Sequence, residues 1–264
     1  MRNSSRWLFI LTIVLVAVTV LIARQQKLGL DPDFETVVLP TSTPDFASIS
    51  DVNEKKQAFF DFLGPQIQLQ NQLILKERER LISIEKSFRT ESLSSNDVEY
   101  IRKLGERYYS SIPTEGVTQD WLNEMLIKVN VLPKALVLTQ AANESAWGTS
   151  RFAIQANNYF GQWCYKAGCG LVPLKRQEGA THEVAKFDSV TKSVHGYFMN
   201  VNRNRAYAAL RSIRSDLATN GKDLTSVDTA MALTQGLLSY SERGQDYIND
   251  LQTMIRANNK FWID

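Results

Sequence analysis

Glu144 is the residue of this chain whose surroundings point most directly to chemistry. It lies in residues 140–148, QAANESAWG, with no other charged side chain in that run. A position near the carboxyl end of a helix disfavours an ionised carboxylate, because the unpaired carbonyls there carry partial negative charge. Trp147, three positions on, would exclude water from the same helical face. The pattern predicts a carboxyl with a raised pKa that can act as a general acid, and the alternative is a solvated helix-end glutamate.

Two cysteines, Cys164 and Cys169, occur five positions apart in WCYKAGCG. In an exported protein, a pair this close predicts a disulfide that closes a small loop. Two free thiols are the alternative. A metal site is disfavoured, because the chain has only two histidines, His182 and His195, to complete a ligand set. We therefore expect no metal and no organic cofactor.

Periodicity predicts the elements that must position these residues. The central helix begins at Val131-Leu132-Pro133 and ends near Gly148. The apolar pattern of residues 51–88 predicts two helices, with an interruption near Gly64-Pro65. Further helices are predicted at 95–109, 118–129, 191–214, 224–238 and 245–258. Residues 171–175 and 182–187 alternate as strands, so a β-hairpin is predicted across Glu178-Gly179.

The amino-terminal segment predicts export. Residues 7–23, WLFILTIVLVAVTVLIA, are uncharged and at the lower limit for spanning a bilayer. We expect residues 1–24 to be an uncleaved anchor, with a cleaved signal peptide as the alternative. Residues 25–50 carry prolines and no helical period, which indicates a linker. The net charge of +2 gives no reason to expect a nucleic-acid partner.

Two blocks at a defined spacing carry a family resemblance. Residues 141–148, AANESAWG, followed by 157–161, NNYFG, resemble the signature of the bacterial peptidoglycan glucosaminidases, which include flagellar muramidase-like proteins and many autolysins. The CYKAGCG insertion and the downstream helices are similar to the Bax-type proteins of Gram-negative bacteria. The resemblance covers about residues 133–255.

The resemblance implies an α+β, mainly α, lysozyme-like domain at 131–264, preceded by a helical extension at 51–130. A helical lobe and a small β-hairpin lobe would enclose a groove for the glycan. Glu144 would be the general acid that protonates the leaving glycosidic oxygen. The family often places a second glutamate on the hairpin, where this chain offers Glu183 and Glu178. Both have the alternative of being exposed hairpin charges.

Other side chains of the predicted groove come from the same resemblance. Residues 240–248 resemble a family segment whose first tyrosine lines the groove, which assigns Tyr240 to the site and Tyr247 to the core. Trp147 and Tyr159 are predicted at the substrate, with core packing as the alternative for Tyr159. Asn157 and Asn158 are expected to fold their loop by side-chain hydrogen bonds.

These features predict a peptidoglycan β-N-acetylglucosaminidase whose catalytic domain is tethered to the inner membrane and faces the periplasm. A lytic transglycosylase is the alternative within the same class, since it needs one acid and no second carboxylate. A non-catalytic wall-binding module is the alternative from another class.

Overall fold

The computed structural model describes residues 37–262 except Lys175, Gln177 and Glu178. One compact unit begins at Leu39. The predicted anchor at 1–24 and residues 25–36 of the predicted linker lie outside the described residues, and so does Glu178. Among the residues that are described, no helix has the length and apolar character needed to cross a membrane. The predicted division into anchor, linker, extension and domain stays a prediction.

The described part of the chain is mainly helical, with one small sheet. Its α-helices are α1 Val52–Arg89, α2 Ser95–Arg107, α3 Gln119–Lys128, α4 Lys134–Ser145, α5 Arg151–Ala156, α6 Val190–Arg203, α7 Ala208–Thr219, α8 Val227–Leu233 and α9 Gln245–Ala257. Its strands are β1 Trp163–Cys164, β2 Gly170–Leu171 and β3 Glu183–Ala185. Short 3₁₀ turns lie at Arg205–Tyr207, Thr234–Leu237 and Asn259–Phe261. The predicted α+β, mainly α, class is confirmed, whereas the lysozyme-like arrangement stays a prediction.

The predicted break near Gly64-Pro65 was wrong, because α1 runs as one helix with Pro65 inside it. An interior proline costs a helix roughly 3 kcal/mol. Burying one large apolar side chain contributes about 1.5–3 kcal/mol. Apolar side chains are fully buried on both sides of the proline, at Phe59, Leu63 and Ile67. Packing against α3, α4 and α6 therefore outweighs the local cost.

The uncharged middle of α4 follows from its position. The helix packs against α1, α8 and α9, and its residues from Ala135 to Ala142 are buried in succession. A helix enclosed on all sides cannot carry a charge without a partner, because desolvation would be costly. Its half-buried polar residues lie at its two ends, Lys134 in the first turn and Asn143 and Glu144 in the last. The lone carboxylate is therefore found where the helix leaves the core.

The predicted hairpin is part of a three-stranded antiparallel sheet in the order β1-β3-β2. Trp163 pairs with Val184, and Gly170 pairs with Ala185. The strands are shorter than predicted and β1 was missed, because two-residue strands leave too little alternation to detect. Gly170 is required in β2, since a Cβ there would lie 2.0 Å from the carbonyl oxygen of Val184.

A single helix over 191–214 was also wrong, because the chain turns at Asn204, which has extended backbone angles. The Asn204 side chain accepts a hydrogen bond from the N–H of Ala206 at 3.0 Å and so starts the next turn. Arg211 donates to the carbonyl oxygens of Val201 and Asn204, both at 2.8 Å. The side chains of Asn204 and Arg211 therefore pair with the backbone N–H and C=O groups that the break in the helix leaves free.

Candidate active site

Glu144 is the second-last residue of its helix, just before a sharp turn of the chain. The helix stops at Ser145, since Ala146 and Trp147 both have left-handed backbones with φ of 50° and 57°. The predicted end at Gly148 is therefore three residues late. Gly148 has another role, because a Cβ there would lie 2.4 Å from the ring of Phe46. Phe46, in the predicted linker, is buried against Phe59 and Phe62.

The same turn redirects Trp147. Its ring packs edge-on against Phe59 and Phe60 of α1, each at a centroid distance of 5.5 Å. Lys56 places its Nζ 5.3 Å from the ring centroid. Trp147 lies beyond the end of the helix, so the helical spacing from which its shielding of Glu144 was predicted does not extend to it. That Trp147 keeps water away from Glu144 stays a prediction.

The environment of Glu144 nevertheless raises its pKa. Burial is the largest cause, because it disfavours the charged form. Hydrogen bonds from the Tyr247 hydroxyl and from Asn143 Nδ2, the latter at 3.2 Å, oppose the rise, as does the charge of Arg243. The predicted direction of the pKa shift is confirmed, and its cause is the position of the helix end within the fold.

A buried chain of hydrogen bonds aims Tyr247 at Glu144. The hydroxyl of Tyr197 donates to Gln140 Oε1, and Gln140 Nε2 donates to the Tyr247 oxygen at 3.0 Å. The single hydroxyl hydrogen of Tyr247 is thereby left for Glu144, with which it is hydrogen-bonded. Gln140, Tyr197 and Tyr247 are all buried. Because Tyr247 accepts from Gln140, its hydroxyl acts as a donor toward the Glu144 carboxylate.

Tyr240 and Tyr247 both interact electrostatically with Glu144, and the assignment of Tyr240 to the groove stays a prediction. Tyr240 donates its hydroxyl hydrogen to the carbonyl oxygen of Phe160 at 2.9 Å. Its ring lies parallel to that of Tyr247, at a centroid distance of 5.5 Å. Tyr247, predicted in the core, is buried and also contacts Glu144. A signal for this network existed in the sequence, because Gln140 lies one turn before Glu144 on the same helical face.

Residues 157–161 form the wall beside the acid. Asn158 donates to the carbonyl oxygens of Gln162 and Ala185, at 2.9 and 2.8 Å, which confirms its predicted role in folding the loop. Gly161 has φ of 64°, and a Cβ there would lie 3.7 Å from Glu144 Oε2. A glycine at this position keeps the space beside the carboxylate open.

Tyr159 is only 1% exposed and lies between Phe59 and Phe62, so the structure places it in the core. Burial raises the pKa of Tyr159 to about 12. Its ring belongs to the packing beneath the NNYFG segment. The assignment of Tyr159 to substrate stays a prediction that its burial does not favour.

Glu183 holds the small loop on the sheet. Its two carboxylate oxygens accept hydrogen bonds from the N–H groups of Gly168 at 2.9 Å and Gly170 at 2.8 Å. These backbone hydrogen bonds lower the pKa of Glu183, and the charge of Arg176 acts in the same direction. The carboxylate is therefore ionised near neutral pH. It retains lone pairs beyond the two already used.

The predicted disulfide between Cys164 and Cys169 is present, with the Cα atoms 6.2 Å apart. The bond closes the loop whose N–H groups Glu183 binds. The two sulfurs and the Glu183 carboxylate lie within 4.8 Å of one another. Because the sulfurs are bonded to each other, they have no thiolate to offer a metal.

Glu144, Tyr240, Tyr247, Glu183 and the disulfide all lie within residues 119–260, which match a known family. Residues 119–260, more than half of the chain, match the glucosaminidase family, described as mannosyl-glycoprotein endo-beta-N-acetylglucosaminidase. The chain is also 32% identical over 222 residues to protein bax of Escherichia coli strain K12, covering 83% of this chain and 76% of that protein. No solved structure matches the chain. With both motif blocks and the acid inside the matched range, the chain belongs to the glucosaminidase family.

Proposed function

We propose that this protein hydrolyses the glycan strands of peptidoglycan as an endo-β-N-acetylglucosaminidase, with Glu144 as the general acid. The observation that carries the proposal is a half-buried carboxyl with a raised pKa that lies beside Gly161, a residue with no side chain to cover it. Family membership supports the substrate class. A protonated Glu144 would give its hydrogen to the glycosidic oxygen as the bond to the sugar breaks.

Tyr247 supports the second half of that transfer. Once the proton has left, Glu144 carries a full negative charge in a site that disfavours charge. The interaction with the Tyr247 hydroxyl lowers the pKa of Glu144, so it favours the charged form of the carboxylate. Burial thus favours the protonated form of Glu144, whereas the hydrogen bond from Tyr247 stabilises the deprotonated form.

What lies on the face of the sugar opposite the acid distinguishes a hydrolase from a lytic transglycosylase. A hydrolase needs a water held there or an attack by the substrate's own N-acetyl group. Glu183 is the described candidate for holding the water, but its carboxylate already binds two backbone N–H groups. That engagement is what favours a single-acid lytic transglycosylase as the second candidate. Mass analysis of muropeptides released from purified peptidoglycan separates the two, because a transglycosylase leaves 1,6-anhydro ends.

The proposed location of the catalytic domain rests on the substrate and on the amino-terminal segment. Peptidoglycan lies outside the inner membrane, and the Cys164–Cys169 disulfide is typical of an oxidising compartment. We therefore place the catalytic domain in the periplasm, tethered by the apolar segment at 7–23. Alkaline extraction of membranes tests the tether, since an anchored chain stays in the pellet and a cleaved chain is released.

Tyr247→Phe is expected to move the alkaline limb of the pH–rate profile to higher pH. The general acid must be protonated, so activity falls as pH rises through the pKa of Glu144. Removing the Tyr247 hydroxyl removes a hydrogen bond that lowers this pKa, and the pKa therefore rises. The maximal rate should also fall roughly tenfold, because the carboxyl loses a group that orients it.

Tyr240→Phe is the matched control, since its hydroxyl bonds to the carbonyl oxygen of Phe160. It should lower the maximal rate without displacing the limb. If the N-acetyl group attacks and Tyr240 orients it, this variant should show the larger fall in rate. If the alkaline limb of the pH–rate profile does not move in Tyr247→Phe, Tyr247 is not a hydrogen-bond donor to Glu144.

Glu183→Gln is expected to speed reduction of the Cys164–Cys169 bond by dithiothreitol several-fold. The amide offers one acceptor oxygen, and its NH₂ group would face a backbone N–H donor, so the loop loosens. Reduction is followed by thiol labelling over time, with Glu178→Gln as the control that leaves it unchanged. A fall in maximal rate of about 100-fold or more, with unchanged reduction kinetics, would instead assign Glu183 to the water.

A further inference from the structure

An exposed aromatic ring is held rigidly on the sheet. The indole of Trp163 stacks on the imidazole of His182, with the ring centroids 3.9 Å apart and the planes 13° from parallel. Trp163 nevertheless remains 55% exposed. An indole with one face covered by another ring and more than half of its surface in solvent presents a broad apolar surface.

The backbone fixes the orientation of this ring pair. Trp163 pairs with Val184 in the β1–β3 ladder, and His182 immediately precedes β3. Arg176 donates to the carbonyl oxygen of His182 at 3.3 Å, which ties the approach to β3 in place. A ring that is already immobilised loses little conformational entropy when a ligand covers it.

Trp163 is close in the chain to the glycine beside the acid. A Cβ at Gly161 would lie 3.7 Å from Glu144 Oε2, and Trp163 follows Gly161 by two residues. Two residues of chain span at most about 7 Å between Cα atoms. The Cα atom of Trp163 therefore lies within about 7 Å of that of Gly161, the glycine beside the acid.

We propose that Trp163, backed by His182, is a sugar-binding subsite that packs against the apolar C–H face of an aminosugar ring in the glycan strand. This inference rests on the proposed function. A pyranose ring pairs an apolar face with hydrogen-bonding edges, and it fits a fixed aromatic surface beside polar groups. Closeness to Glu144 favours the glycan over a lipid surface or a second copy of this chain, because the strand must pass the acid to be cut.

The test measures binding separately from turnover. The full chain carrying Glu144→Gln is mixed with insoluble peptidoglycan, and the bound fraction is measured by sedimentation. Adding Trp163→Ala should weaken binding roughly 5- to 20-fold, whereas Trp163→Phe should stay within about threefold of the parent. With Glu144 intact, Trp163→Ala should raise KM and leave kcat nearly unchanged. Leu174→Ala is the control, because this exposed leucine lies in the same region and should alter neither value.

The outcomes separate this inference from the proposed function. Unchanged peptidoglycan binding by Trp163→Ala overturns the subsite, even if the parent hydrolyses glycan and the proposed function stands. Weakened binding with a parent that releases no product supports the subsite and refutes the enzyme. A loss confined to vesicle binding or to self-association, with peptidoglycan binding intact, also overturns the subsite. Circular dichroism of each variant must match the parent, and Trp163→Phe carries the test if Trp163→Ala does not fold.

Discussion

Replacing Glu144 with Gln is expected to lower the rate of glycan cleavage by about 10²–10⁴-fold or more while the protein stays folded and binds peptidoglycan. The amide keeps the shape of the side chain, and its oxygen can still accept the hydrogen bond from Tyr247. It has no acidic proton to give the glycosidic oxygen. Release of soluble muropeptides from purified peptidoglycan, followed over time, measures the effect.

Glu242→Gln is the matched control, because Glu242 is exposed in the loop that also carries Arg243. Its activity should equal that of the parent. If Glu144→Gln keeps activity within a few-fold of the parent, Glu144 is not the general acid. If the parent binds peptidoglycan but releases nothing, the chain is a wall-binding module, and both variants should behave alike.

Arg214→Met is expected to destabilise the fold by about 3–5 kcal/mol. Arg214 lies on α7, is 1% exposed, and donates from its guanidinium to the carbonyl oxygens of Ile127, Lys128, Asn130 and Val131. These carbonyls are at the end of α3 and in the segment that leads into α4. Methionine fills much of the volume but removes these donors. The carbonyl oxygens of Lys128 and Asn130 keep the N–H of Asn130 and the Asn202 amide as donors. Those of Ile127 and Val131 lose the guanidinium, and each unpaired group costs about 1–3 kcal/mol.

The effect is measured by denaturant unfolding, as a lower midpoint with an unchanged slope. Arg205→Met is the control, since Arg205 is exposed on the neighbouring 3₁₀ turn and its replacement should stay within about 0.5 kcal/mol of the parent. Arg214→Lys should fall between the two, because an ammonium cannot reach both ends of this set of carbonyls. A loss below about 1 kcal/mol in Arg214→Met would mean that water replaces the guanidinium.

Local patterns determined a large part of this protein. The start of α4, the lone acid near its end and the Cys164–Cys169 disulfide could all be predicted, because each depends on residues close together in the chain. The same holds for Asn158, whose amide folds a loop only a few residues long and reaches β3 beside it. Short-range hydrogen bonding and helical periodicity carry this information.

Tertiary packing decided the rest. Pro65 stays inside α1 because buried side chains on either side outweigh its local cost, and no local preference reveals that burial. Trp147 packs against Phe59 and Phe60, which are far off in sequence, and no spacing within its own segment predicts that contact. Tyr247 was predicted in the core, and the docking of α9 on α4 also sets it against the acid. The sequence determined which residue is the candidate acid, whereas contacts between distant segments decided what holds it and sets its pKa.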